Sequence, residues 1–291
     1  MQIVTDRGMD LSAQQMEGLS LKFATLRITL EGKTYSSGVD IDPETFYRML
    51  SETEAYPTTS QPSAGEFAEI YRSLAQVDPE ILSIHISSGL SGTVNAARAG
   101  AAMVPEAKVT IVDSKTLSCP FGWQVEAGAK ALKAGWSLEQ AIALMDKINQ
   151  RCEGMYTLAS LRYLIHGGRI SHLKGLLASL LNIKPVIGVE KVGGTYTNLG
   201  QEITLKRGIH KIADQVASLY GDGSAIRVQL LHGLNLEGVE ILKASLINRF
   251  ECHWEPTVPV APALGAHTGP SLVGLSVGPW ELFAELPWHA S

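Results

Sequence analysis

Cysteine is scarce in this chain and unpaired. Of 291 residues only Cys119, Cys152 and Cys252 are cysteines, far apart and with no CxxC pair. That excludes a disulfide framework and a paired-cysteine zinc site, and it fits reduced, buried thiols in a cytoplasmic protein. Histidine offers no metal spacing either. The eight, at 85, 166, 172, 210, 232, 253, 267 and 289, form no HExxH and no paired Cys/His motif, so no metal is expected. Basic residues number 24 against 29 acidic, a net charge of −5, which argues against a nucleic-acid partner. The opening MQIVTDRGMD carries charge where a secretory signal needs an apolar core, so no export is expected and the cytoplasm is the expected location. Residues 256–280 contain no Asp, Glu, Lys or Arg. That is long enough for a membrane helix, but five prolines and four glycines break it. Buried strands and turns are expected there, and no stable membrane insertion.

What remains is a chain with 45% hydrophobic and 18% charged residues, enough to fill real cores and long enough for two domains. Its centre is Ile81 to Met103, ILSIHISSGLSGTVNAARAGAAM. An apolar run is followed by Ser87 to Thr93, uncharged and small, and then by an alanine-rich segment of strong helix propensity. The pattern predicts strand, tight turn and helix start. Backbone N–H groups and hydroxyls at such a turn can hold an anion. The plain alternative is an ordinary turn with Ser91 as N-cap. No lysine follows, so it is not a nucleotide P-loop, and it is not GxSxG.

Around this centre, strands alternate with helices. Gln2–Thr5, Leu21–Leu30, Ile81–Ile86 and Ala107–Val112 read as strands. Helices are expected at Pro43–Glu52, capped by Asp42; after the Ser63/Glu66 capping box; over Phe121–Ala134; and after Ser137/Gln140. This order favours a parallel sheet covered by helices. Asp6, the Thr58–Ser63 loop with Thr59 and Ser60, Ser87–Thr93 and Asp113 then share the edge where ligands bind. The second half differs: a strand at Gly154–Ala159, short helices at Leu161–Ile165 and Leu173–Leu181, a hairpin around Gly193-Gly194, and a helix at Leu205–Leu219. A strand at Ile226–Leu231 and a helix at Leu236–Leu246 follow. The fold expected is α/β in two domains, a parallel-sheet domain over 1–155 and an α+β domain over 156–291, with a ligand between them.

Two chemistries compete for the shared edge. A serine esterase or acyl-transfer enzyme could be assembled from Ser91, His267 and Asp6 or Asp113, which requires a base within hydrogen-bond reach of the nucleophile. A binding protein requires less: two or three neutral donors for a carboxylate head and an apolar slot for its tail. Neutral hydroxyls suit a site that stands empty, because a buried lysine there would be costly. His85, between Ile84 and Ile86, reads as a packed or half-exposed strand histidine. His166, Arg169, His172 and Lys174 form a basic cluster, either a solvated face or a partner or phosphate contact.

Several stretches together resemble the DegV family of bacterial fatty-acid-binding proteins, the binding subunits of fatty-acid kinase. They are IVTDRGMDLS at 3–12, TTSQPSAGEF at 58–67, ILSIHISSGLSGT at 81–93, VTIVDSKTLS at 109–118, LIHGGRISHLKGLLASLLNIKP at 164–185 and LGAHTGPSLVG at 264–274. The resemblance implies a non-catalytic protein holding one long-chain, palmitate-like fatty acid between its domains. It implies Thr59, Ser91 and His267 at the carboxylate, with Ser60, Ser88, Gly92, Thr93 and Thr268 supporting them. It further implies presentation of the acid to a separate kinase and delivery of the acyl phosphate to an acyltransferase of phospholipid synthesis, with the GGRI segment as a partner surface. Arg7 stands where the family has a small hydroxyl residue, and Ile203 where some members carry arginine.

Overall fold

The computed structural model describes residues 1–173, 183–284 and 286. Its first half begins with β1 (Gln2–Asp6), α1 (Ala13–Met16), β2 (Leu21–Ala24), β3 (Arg27–Leu30), β4 (Lys33–Ser36), α2 (Pro43–Glu52) and β5 (Thr58–Ser60). Then come α3 (Ala64–Ala75), β6 (Glu80–His85), α4 (Thr93–Ala102), β7 (Lys108–Asp113), α5 (Ser118–Lys133) and α6 (Leu138–Arg151). Strands β2-β1-β6-β7 form a wholly parallel sheet, as the βα alternation predicts. The local start signals are used as read. Asp42 caps α2 with Pro43 in the first turn, and capping boxes at Ser63/Glu66 and Ser137/Gln140 open α3 and α6.

Three sequence expectations are corrected in this half. Leu21–Leu30 is not one strand. The chain leaves the parallel sheet after Ala24 and re-enters as β3 of a separate antiparallel sheet, β4-β3-β5. The Thr58–Ser63 loop contributes β5 to that sheet, with Thr59 opposite Ile28. Ser91 is not the N-cap of α4: Gly92 is, with no side-chain cap.

The second half builds a mixed sheet from β8 (Glu153–Thr157), β9 (Lys184–Val189), β10 (Tyr196–Glu202), β11 (Ala225–His232), β12 (Glu251–Trp254), β13 (Val258–Pro259) and β14 (Val273–Pro279). The order is β10-β9-β8-β14-β11-β12, with β13 also on β11. Helices α7 (Arg162–His166), α8 (Leu205–Tyr220), α9 (Leu236–Ile247), α10 (Pro262–Thr268) and α11 (Glu281–Ala284) accompany it. The β9–β10 hairpin turns through Gly193-Gly194 as expected. The charge-free stretch 256–280 is not strands and turns alone. Pro262 starts α10 rather than breaking it, because a helix's first turn needs no donor there. Among the described residues no helix is long and apolar enough to cross a membrane. The helix expected at Leu173–Leu181 lies, apart from Leu173, outside the described residues.

The largest apolar cluster runs through both halves, from Ile3 and Trp123 to Leu231 and Leu264. Beside it Arg227, 2% exposed, bonds Glu126 on α5 and Glu255, each at 2.8 Å, and its guanidinium lies over the Trp123 ring. Gln15 and Gln229 pair across the same seam. These contacts tie the first half of the chain to the mixed sheet.

Candidate functional site

The turn after β6 is held by one carboxylate from each neighbouring strand. Asp6, ending β1, accepts the Ile86 N–H at 3.0 Å and His85 Nδ1 at 2.9 Å. Asp113, ending β7, accepts the Ser88 N–H at 3.1 Å and the Ser88 hydroxyl. Burial opposes ionisation of Asp113, but the bonds from Ser88 and Lys115 outweigh it and hold its carboxyl below the ordinary value. His85 is fully buried, not half-exposed. Its Nε2 continues through Ser83 to the Tyr71 hydroxyl, at 2.7 and 2.8 Å. Asp6, His85 and Asp113 are thus engaged in shaping the turn. Ser88, expected at the site, faces Asp113 instead.

The turn also carries the other half of the molecule. Ser87 Oγ donates to the Gly194 carbonyl at 2.8 Å. Gly89 lies so close to the Gly193 and Gly194 carbonyls that a Cβ there would overlap backbone. Close packing of two turns demands a residue without a side chain at this point.

In front of the turn is a cavity of about 40 Å³ whose polar wall includes Thr59, Ser60, Gln61, Ser91, Arg169 and His267. β5 brings Thr59, the β6–α4 turn brings Ser91, and the last turn of α10 brings His267. Thr59 Oγ1 and His267 Nε2 are 2.8 Å apart. Ser91 Oγ bonds Thr93 Oγ1 at 2.8 Å, and Gly92 packs under the Gln61 amide. His267 is 7% exposed, and its Nδ1 has no partner among the described residues. Burial, reinforced by the Arg169 charge, lowers its pKa to about 3, so the imidazole is neutral at physiological pH.

The alternative Ser91–His267–Asp triad is not formed. His267 pairs with Thr59 and Ser91 with Thr93, while Asp6 and Asp113 are engaged elsewhere. Arg169 was legible only as one of a basic cluster; the structure puts it on the cavity wall, its Nη1 donating to the Gly167 carbonyl at 2.6 Å. Of the rest of that cluster, His166 stacks on Tyr56 and His172 lies near Tyr196, while Lys174 lies outside the described residues.

Behind the polar cavity is a second of about 30 Å³, walled mainly by apolar side chains such as Met155, Val189, Leu231, Val260 and Leu275. Leu117, Tyr196 and Leu264 belong to both walls. Thr268, expected near the head, lines this second cavity. No group of His, Cys, Asp and Glu able to hold a metal occurs among the described residues.

A parallel-sheet α/β half and a mixed-sheet half, with a polar cavity backed by an apolar one, define a two-sheet α/β class of protein. Residues 1–279 match the family described as "Uncharacterised protein, DegV family". A DegV domain-containing protein of Deinococcus radiodurans is 35% identical over 283 residues, 96% of this chain and 97% of the relative. This chain belongs to the DegV family. Among solved structures it is similar to a DegV family protein from Thermus thermophilus described as fatty acid binding (TM-score 0.86, 29% identity, 96% of this chain and 99% of that one). It is also similar to a stearic acid-binding protein from Eubacterium ventriosum (TM-score 0.81, 27% identity, 96% and 98%).

Proposed function

We propose that this chain binds one long-chain fatty acid, its carboxylate in the polar cavity and its hydrocarbon in the apolar one. The observation that carries the reading is the pair of cavities sharing Leu117, Tyr196 and Leu264: one end offers hydroxyls and a guanidinium, the other almost only carbon. The donors are arranged in series. If neutral His267 donates from Nε2 to Thr59, and Thr93 donates to Ser91, both cleft hydroxyls have a proton left for a carboxylate oxygen. Arg169 supplies the opposite charge. Each buried methylene contributes ~0.8 kcal/mol before the cost of ordering the chain. Both cavities are small, so a long tail enters by parting the shared side chains. The solved structures named for fatty acids support the ligand class.

The division into domains at 155/156, with the lipid between them, belongs to the same proposal, as do the assignments of Thr59, Ser91 and His267. We further propose a non-catalytic role: the carboxyl is presented to a separate kinase and the acyl phosphate is carried on to an acyltransferase in the cytoplasm. Exposed Ser60 and Gln61 at the cavity mouth support this, because the head group there is reachable from outside. Native mass spectrometry of protein purified from cells tests the ligand; a long-chain acid should co-purify, and its consistent absence under gentle handling refutes the reading. Stoichiometric labelling of Ser91 by an active-site serine probe would favour acyl-transfer chemistry instead.

A further inference from the structure

The wall between the two cavities is made by two segments that meet at one carboxylate. Leu117 lies between Lys115 and Ser118, which both hold positive φ, +54° and +58°, without being glycine. Residues other than glycine adopt this region only when something holds them there. Ser118 is held twice: its N–H bonds the Gly8 carbonyl at 2.7 Å, and its hydroxyl bonds Asp10 Oδ2 at 2.5 Å. The other oxygen of Asp10 accepts the Ala261 N–H at 2.8 Å, directly before α10. That helix carries Leu264 and His267. Asp10, 5% exposed, therefore joins the residue that follows Leu117, through its hydroxyl, to the residue that precedes α10, through its N–H, and so ties together the two segments whose leucines separate head from tail.

We propose that Asp10 is a positioning residue that latches the Leu117 segment to α10 and so sets the bore through which an acyl chain passes. Its role in lipid passage rests on the fatty-acid reading above; the latch itself does not. Burial raises the Asp10 pKa to about 7, against the bonds from Ser118 and Ala261. The groups around it do not change charge near neutrality. The Tyr47 phenol from α2 and the Cys119 thiol from α5 are both pushed well up by burial and by Asp10. Arg7, Asp40 and Asp42 line a separate, outer cavity whose wall also includes Asp10, and they stay charged. His267, at the far end of α10, stays neutral. Ionised Asp10 makes two charge-assisted bonds, while the protonated acid makes weaker ones. Burial disfavours the ionised form more than those bonds favour it, so opening, which hydrates the carboxylate, becomes easier as pH rises from the ordinary carboxyl range toward about 7: the latch is tightest with Asp10 protonated and loosens as it ionises.

Hydrogen exchange on the full, lipid-free chain tests the latch, comparing wild type with the isosteric Asp10→Asn at each pH. Protection of the Leu117, Ser118, Ala261 and α10 amides, taken as a ratio to the variant, should fall severalfold between about pH 5 and 7. A ratio flat with pH overturns the proposal. Ser118→Ala should loosen the same amides at the low end of that range; unchanged protection there overturns it as well. Stopped-flow release of a fluorescent C16 fatty acid should speed up severalfold over that pH range in wild type and be flat in Asp10→Asn. Failure of wild type to take up the probe at any pH refutes the lipid reading and leaves exchange to decide the latch, whereas uptake with pH-independent release refutes the latch's role in passage.

Discussion

Thr59 Oγ1 and His267 Nε2 sit 2.8 Å apart across 208 residues of sequence, joining the small antiparallel sheet to the last turn of α10. The pair does for the cleft what a backbone ladder does for a sheet: it fixes where a donor points. Thr59→Val keeps the side-chain shape and removes the bond. It leaves His267 without a partner on either ring nitrogen. Fatty-acid affinity should fall by about 1–2 kcal/mol, since an unmade bond to a buried group costs ~1–3 kcal/mol. Calorimetry with palmitate measures it. A double-mutant cycle with His267→Ala should return a coupling of about 1 kcal/mol, and purely additive losses would show that the two side chains act separately.

The neutrality of His267 makes a prediction about acid. Its folded pKa, about 3, lies below the ordinary 6.5 because of burial and then Arg169. Between those values the unfolded chain binds the proton and the folded chain does not. Stability from this group is therefore complete above about pH 6.5 and lost as pH falls toward 3, on the order of 3 kcal/mol by about pH 4. Urea unfolding at a series of pH values reads the slope. His267→Gln should flatten this window, and an identical slope in the variant would mean that another group carries the acid sensitivity.

Arg169 should matter twice. Arg169→Gln removes the cation from the cavity wall, and fatty-acid affinity should drop by about 1.5 kcal/mol, the low end for bonds to charged groups, with a weaker dependence on salt. It also removes the second of the two causes that depress the His267 pKa, so that pKa should move upward while burial, the first cause, keeps it below 6.5. An NMR titration of the imidazole follows this directly. Loss of affinity without any movement of the His267 titration would place the guanidinium away from the ring.

The features legible in the sequence were local ones. Asp42-Pro43, Ser63/Glu66 and Ser137/Gln140 announce helix starts because the cap and its partner lie within one turn. The parallel sheet followed from βα alternation. Thr59 and Ser91, whose hydroxyls stood out for lack of neighbouring charge, line one cavity, but Thr59 reaches it from the small antiparallel sheet and not from the parallel sheet's edge. The small sheet was missed because β5 is three residues long and pairs with β3 far upstream. Helix α10 was missed because Pro262 read as a breaker, although its position in the first turn makes it a starter. Arg169 had no local signal that tied it to a cleft. Its place depends on the preceding glycines: Gly168 holds φ +74° and Gly167 packs against the His267 ring, which is a tertiary fact.

The contact between Gly89 and the Gly193-Gly194 turn offers the sharpest test of how the halves are held. A Cβ at Gly89 would overlap the Gly193 carbonyl and lie 2.8 Å from both the Gly194 carbonyl and Thr195 Cγ2. Two of these three obstacles are backbone, so no rotamer change relieves them, and the hairpin must withdraw. Withdrawal lengthens the Ser87–Gly194 bond and shifts Tyr196, which follows the turn and belongs to both cavity walls. Gly89→Ala should therefore cost about 1–3 kcal/mol of stability, as overpacking does, and weaken fatty-acid binding in the same step. Gly65→Ala is the control: it sits in α3 with its nearest outside atom at 3.8 Å, and should gain about 0.5–1 kcal/mol from helix propensity with binding unchanged. Urea denaturation and calorimetry on the two variants decide it. A stable Gly89→Ala protein with unaltered affinity would mean that the turn and the hairpin touch without supporting each other, and that the cleft is held open by the Arg227 and Gln229 seam alone.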